Sequence, residues 1–220
     1  MIEKESRFTE EMIAELRKTV ASELSPKRFL HVAAVEEMVA RLAKLYCPEQ
    51  TETLRVAALL HDITKEWQTE KHVDFCKAHG IQLTKQDCVA YKTLHARTAA
   101  ALIPERYLQC NDTAVISAIR WHTTGRAGMT LPEKLLYLAD YIDLSRTFKD
   151  CVTLRNFFFD ADPERLDLSE RETLLRETLI RSFDMTISAL IEDGQPIAED
   201  TVKARNKLLL ERIAKAGEKA

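Results

Sequence analysis

Histidine is scarce in this chain, six in 220 residues, and four of the six recur at helical spacing on otherwise apolar stripes. His31 continues the stripe Val35, Met38, Leu42, Leu45, and His61 closes Leu54, Ala57, Ala58. His95 shares a face with Cys88, Tyr91, Ala99 and Leu102, and His122 follows Val115, Ala118 and Ile119. Side chains three or four residues apart lie on one helix face, so all four rings are expected to point inward. One such ring could be a satisfied core histidine. Four on separate helices would incur the desolvation cost four times over unless they share a purpose. Two acids sharpen the pattern: Asp62 directly follows His61, and Asp140 lies in LLYLADYID on the face of Leu136 and Asp143. Four imidazoles and two carboxylates from five helices suit one or two first-row divalent cations such as iron, manganese or zinc.

The elements that must carry these residues all read as helices. Ser25-Pro26 supplies a capping hydroxyl and a first-turn proline for a helix to about Tyr46, which Cys47-Pro48 ends. Further helices are predicted from about Glu52 to His61 and from Thr69 to His79, the latter stopped by Gly80. Hydroxyl-x-x-acid pairs at Thr84/Asp87, Thr130/Glu133 and Ser169/Glu172 predict helices near 85–103, 131–143 and 170–193. Asn111-Asp112 opens one to His122, and Asp200 a last one ending near Ala216. Phe157-Phe158-Phe159 reads as an aromatic plug under a loop. His72 and His79, in the polar segment EKHVDFCKAHG, are expected on the surface.

Composition agrees with an all-α fold. Five glycines and six prolines fall well short of the usual ~12% share, which disfavours a turn-rich β architecture. No repeat or Gly/Ser linker divides the chain, so the expectation is a single domain, with residues 1–24 as a helical extension and 25–220 as a bundle carrying C-terminal helices. A net charge of −3 without a basic block argues against long nucleic acids as partners. No apolar run is long enough to cross a membrane, and the amphipathic N-terminus is unlike a signal peptide. Five cysteines, odd in number and without a C-x-x-C, point to buried reduced thiols in a cytoplasmic protein.

The order His31, His61-Asp62, His95, His122, Asp140 resembles the HD-domain metal-dependent phosphohydrolases, in the subgroup with two extra histidines and two metals. AALLHDITK at 57–65, AIRWHTTGRAGMT at 118–130, KLLYLADYIDLSR at 134–146 and TVKARN at 201–206 are similar to the symmetrical bis(5′-nucleosyl)-tetraphosphatase (YqeK-like) family within that superfamily. Where that family usually has Glu-Pro, this chain has Asp143-Leu144, which leaves the part played by Asp143 open.

The resemblance implies an HD-domain helical bundle that cleaves diadenosine tetraphosphate to two ADP, with two divalent metals, iron first and manganese or zinc as alternatives. It implies that His31, His61 and Asp140 hold one metal, His95 and His122 the other, and that Asp62 is shared between them. A metal-bound hydroxide would then attack a central phosphorus, since coordination brings the pKa of water towards neutrality. ADP is a good leaving group, so cations should matter more than a strong general acid. Lys65, one turn beyond His61, is the first candidate for catalysis and phosphate binding. Thr123, Thr124, Gly125 and Arg126 follow His122 at a helix end, where hydroxyls, backbone N–H groups and a guanidinium could meet a phosphate; an exposed helix cap is the alternative. Arg146 divides between phosphate contact and a pair with Asp143. A homodimer is compatible with all of this. The rival readings are another HD enzyme, namely a nucleotidase, phosphodiesterase or diiron oxygenase, and a nucleotide-binding module without turnover.

Overall fold

The computed structural model describes residues 7–85, 87 and 90–217, the side chain at 216 excepted. Among them are ten α-helices and no strand: α1 (Glu10–Glu23), α2 (Pro26–Tyr46), α3 (Thr51–Leu60), α4 (Thr69–Ala78), α5 (Leu94–Arg106), α6 (Thr113–Trp121), α7 (Leu131–Ile142), α8 (Lys149–Phe159), α9 (Leu168–Glu192) and α10 (Glu199–Gly217). None is long and apolar enough to cross a membrane.

The starts follow from local chemistry. Ser25 accepts from the Arg28 N–H at the head of α2, and Asp112 accepts from the first N–H groups of α6. Thr130 and Glu133 form a reciprocal capping box on α7. Each side chain satisfies donors that the first helical turn leaves without a partner.

α2 packs along α3 and crosses α7, while α6 is wedged against α3, α5 and α7. Val32, Val35 and Leu42 of α2, Leu54 of α3, Ile119 of α6 and Leu135 and Leu138 of α7 are fully buried in one cluster. These four helices, with α5 beside α6, present the ligand stripes to a common end of the core. Outside them, α1 rests on α2 and α3, and α9 lies against α8 and α10. The cluster extends to Phe8 at one end of the sequence and Leu208 at the other.

Three expectations change. The helix expected over 85–103 is interrupted: the chain is helical at Lys85 and Asp87, bends at Ala90, and makes a 3₁₀ turn at Tyr91–Thr93 before α5 begins. Thr93 donates its hydroxyl to the Ala90 carbonyl and tightens that turn. The Thr84/Asp87 hydrogen bonds are nevertheless present. The capping box of α9 is Asp167/Glu170, so the helix starts two residues before the Ser169 reading. Phe157–Phe159 form the last turn of a helix, α8, rather than a plug under a loop. Phe158 enters the core, while Phe157 and Phe159 lie under Arg181 of α9 and Arg41 of α2, 4.1 and 3.9 Å from their ring centres. Stacked guanidiniums let two large rings stay partly exposed. Cys47, Cys76, Cys110 and Cys151 are buried free thiols; Cys88 lies outside the described residues.

Candidate metal centre

The four histidines meet. His61 is the C-cap of α3 and His122 the C-cap of α6, so both rings leave their helices at the point where the chain turns. His31 comes from the first turns of α2 and His95 from the start of α5. Three of the rings are fixed in the same way. The Nδ1 atoms of His61, His95 and His122 donate to the carbonyls three residues earlier, those of Ala58, Lys92 and Ile119, at 2.6, 2.8 and 2.7 Å. A carbonyl only accepts, so each ring carries its proton on Nδ1 and turns the Nε2 lone pair inward.

His31 is held differently. Its Nδ1 lies 3.2 Å from Ser145 Oγ and 3.4 Å from Asp143 Oδ2, while Asp143 accepts from the Ser145 N–H and hydroxyl. Asp143 is fully buried at the end of α7. The acid that the motif left open therefore stands behind a histidine and orients it from the far ring nitrogen. Carboxylates that support ligand histidines commonly occupy this position.

Asp62 lies at the middle of the cluster. Its Oδ2 is 3.7 Å from His61 Nε2 and 3.8 Å from His31 Nε2, and its Oδ1 is 3.3 Å from His95 Nε2 and 3.7 Å from His122 Nε2. Asp140 Oδ1 lies 3.0 Å from His31 Nε2. Two groups have donor atoms close enough to share a cation: His31 with His61 and Asp140, and His61 with Asp62 and His122.

The donor set fits divalent metal. His61 has a buried Nε2 atom without a hydrogen-bond partner. His95 and His122 face each other through Nε2 at 3.0 Å, and with both protons on Nδ1 those are two lone pairs in contact. A shared cation relieves both conditions. Burial pushes His61 down to about 4 and, together with the Lys65 charge, holds His95 well below the usual imidazole range, so both are neutral and available as ligands. Against the cost of burial, the imidazoles around it, His61 foremost, and the nearby Lys65 charge keep the Asp62 carboxyl well below its ordinary value. Asp140 is held low by Arg146 and His31, again against burial. His31 is the exception. Burial opposes its charge, but hydrogen bonding to Asp140 and Asp143 prevails and pushes it up to about 9.

The expected phosphate contacts divide. Lys65 Nζ reaches the cluster, 3.1 Å from His95 Nε2, and burial lowers its pKa. Thr123 Oγ1 is 3.0 Å from both His95 Nε2 and His122 Nε2. Arg146 pairs with Asp140 at 2.6 Å and with Asp143 at 3.3 Å, so it borders the cluster while holding the buried acid. Thr124 is buried and donates to the Gly125 carbonyl. Gly125 has φ +63°, and a Cβ there would lie 2.7 Å from the Phe183 ring, which gives the glycine a packing reason. Arg126 is tied to the fully buried Glu133, its Nε 3.0 Å from Oε2 and its Nη2 3.1 Å from Oε1.

Arg28 went unnoticed in the sequence. Its Nη1 donates to Asp62 Oδ2 at 2.8 Å, and its position three residues before His31 on α2 was the available signal. His72 is corrected as well: it is 5% exposed, with Nδ1 2.9 Å from Thr98 Oγ1, because Trp67 and α5 cover it. His79 is exposed, as expected.

The HD domain family matches residues 28–145, more than half of the chain and the whole span from Arg28 to Ser145. A relative from Halalkalibacterium halodurans named "Bis(5′-nucleosyl)-tetraphosphatase, symmetrical" is 33% identical over 88% of this chain and 95% of its own length. A relative of the same name from Staphylococcus aureus is 32% identical over 81% of this chain and 93% of its own. Among solved structures, a predicted HD superfamily hydrolase from Clostridium acetobutylicum, described as involved in NAD metabolism, superposes with a TM-score of 0.78 at 33% identity. That match covers 90% of this chain and 97% of the other. With its four histidines and two aspartates gathered at one end of the bundle, the chain belongs to the HD domain family, in the branch of the symmetrical bis(5′-nucleosyl)-tetraphosphatases.

Proposed function

We propose that the chain is a cytoplasmic metal-dependent phosphohydrolase that splits diadenosine tetraphosphate symmetrically into two ADP. The observation that carries this reading is the division of Asp62, one oxygen towards His31 and His61 and the other towards His95 and His122. A carboxylate can serve two cations through its two oxygens, so His31, His61, Asp62, His95, His122 and Asp140 would hold a pair, of iron or alternatively manganese or zinc. Bound there, two divalent cations would acidify water and neutralise phosphate charge.

The chain's own residues then bind and orient. Arg28, Lys65 and Arg146 border the cluster with three positive charges, matching a polyphosphate whose charge spreads over its oxygens as the bond breaks. The Thr123 hydroxyl, 3.0 Å from His95 Nε2 and His122 Nε2, would donate to a phosphate oxygen once a cation occupies those nitrogens. Thr124 and Gly125 shape the turn that carries Thr123, and Arg126, paired with Glu133, holds that turn against α7. In the net reaction one water oxygen bonds to a central phosphorus, the bridging P–O bond opens, and the water's protons are shared between the two ADP products and solvent.

The test is product analysis with metal-loaded protein in heavy-oxygen water. Two ADP, one of each pair labelled on its terminal phosphate, are expected. AMP with ATP, or no turnover, would move the assignment to another HD activity.

A further inference from the structure

Two cavities beside the metal centre share a wall, the ridge formed by Lys65, Tyr91 and Lys92. The first, about 270 Å³, has Trp67, His72 and Tyr91 in its walls and touches the ligand His95. The second, about 220 Å³, lies between the 3₁₀ turn and the α9–α10 connection, with Leu190, Pro196 and Thr201 in its walls, and touches Thr123. Lys65, Tyr91 and Lys92 border both. The ridge is fastened to the metal centre, because the Lys92 carbonyl accepts from His95 Nδ1 at 2.8 Å. The Lys65 ammonium lies on its inner side, 3.1 Å from His95 Nε2, while Lys92 is exposed and Tyr91 is 45% exposed.

Resting on the activity proposed above, we infer that these two cavities each receive one nucleoside of the substrate, with the polyphosphate crossing the ridge over Lys65 and Lys92. The reasons are chemical. A nucleobase needs a π surface or a flat apolar wall and a few polar groups at its edge. The first cavity offers the indole of Trp67, which also meets His72, Phe75 and Lys71, the last 4.0 Å from the ring, with Gln68 and Thr69 as edge partners. The second offers aliphatic walls with the hydroxyls of Thr186 and Thr201. Neither cavity alone spans the ridge. A molecule with nucleosides at both ends of a charged chain uses both cavities and the lysines between them, while a mononucleotide uses one. With the polyphosphate over Lys65, whose Nζ is 3.1 Å from the ligand His95, cleavage falls near the middle of the chain rather than at either end.

Calorimetry with ADP, the product carrying one nucleoside, tests the inference on the metal-loaded protein. Two ADP per chain are expected. Trp67→Ala, which empties one wall of the first cavity, and Leu190→Trp, which fills the second, should each leave one. In turnover, both variants should raise KM for diadenosine tetraphosphate by roughly ten-fold, the range of one lost base contact. Leu190→Trp should also narrow the preference for this substrate over adenosine 5′-tetraphosphate. Unchanged metal content and helical circular dichroism show that the variants fold. One ADP per wild-type chain, or both variants with wild-type stoichiometry and KM, overturns the inference. Protein that splits the dinucleotide but binds one ADP loses the paired cavities and keeps the activity; protein that binds two ADP without turnover does the reverse.

Discussion

Glu133 and Asp62 are both buried in the core of this bundle, and they are treated in opposite ways. Glu133 is fully enclosed and saturated: it accepts from the Ser117 hydroxyl, from the Thr130 N–H and from Arg126 through two nitrogens. Asp62 is equally enclosed, but it faces four imidazole nitrogens, one of which, on His61, has no hydrogen-bond partner and two of which oppose each other. A saturated buried carboxylate holds helices together. An unsaturated cluster is stable only with something else in it, because unpaired buried polar atoms are costly. The difference separates a structural charge from a functional one without reference to any relative.

Asp62→Ala should break the comparison most completely. Support residues behind ligands already cost roughly 10–100-fold when lost, so removing the shared ligand should lower turnover by at least about 100-fold. Bound metal should fall in parallel while circular dichroism stays helical. Retention of both metals with near-normal turnover would show that Asp62 is not shared.

Proton release sharpens the contrast next. His31 in the metal-free protein is pushed up to about 9, above the ordinary imidazole value, so its proton stabilises that form below pH 6.5 and the contribution is lost as pH rises through 9. Metal must displace this proton, so apparent metal affinity should rise by close to ten-fold per pH unit up to about pH 9. His61, pushed down to about 4, is already neutral and adds nothing in this window. Titration calorimetry in buffers of different ionisation enthalpy counts the protons. Metal uptake at pH 7 with no proton released would remove His31 from the ligand set.

Asp143→Asn is a smaller change at the same cluster. It keeps the shape and the Ser145 contacts but removes the charge behind His31. Metal affinity should fall by about ten-fold, within the range for such support, and the pH dependence should shift to lower pH because His31 loses one of the carboxylates that raise it. An unchanged pH profile would mean that Asp143 acts on the fold alone.

How much of this was legible depends on range. The ligand set could be read from the sequence because each histidine announces its face through neighbours three and four residues away, and helical periodicity needs nothing beyond that. Arg28 was legible by the same rule. Asp143 was not, since its role depends on the chain leaving α7 after Ile142 and tucking the carboxylate under α2. His72 reads as surface among Glu70, Lys71 and Asp74, and its burial comes from Trp67 and Thr98. The break at Ala90 has no proline or glycine to mark it, so the ridge between the cavities was invisible.

Glu133→Gln carries the smallest expected effect on activity and tests the other half of the comparison. The substitution keeps the volume and one carbonyl acceptor, but it leaves Arg126 without its counter-charge. Breaking a fully buried pair costs about 3–5 kcal/mol; here the Arg126 side chain is 33% exposed and can turn to water, so about 2 kcal/mol is the better figure. In a chain of this length that lowers the melting temperature by roughly 5 °C. Because Glu133 touches none of the six ligands and Arg126 is linked to the centre only through the turn behind His122, kcat per folded molecule should stay within about two-fold, the range of an outlying change. Thermal unfolding and steady-state kinetics on one preparation separate the two quantities. If turnover collapsed while stability held, Arg126 would be a phosphate contact after all, and the saturated acid would be part of the reaction rather than part of the frame.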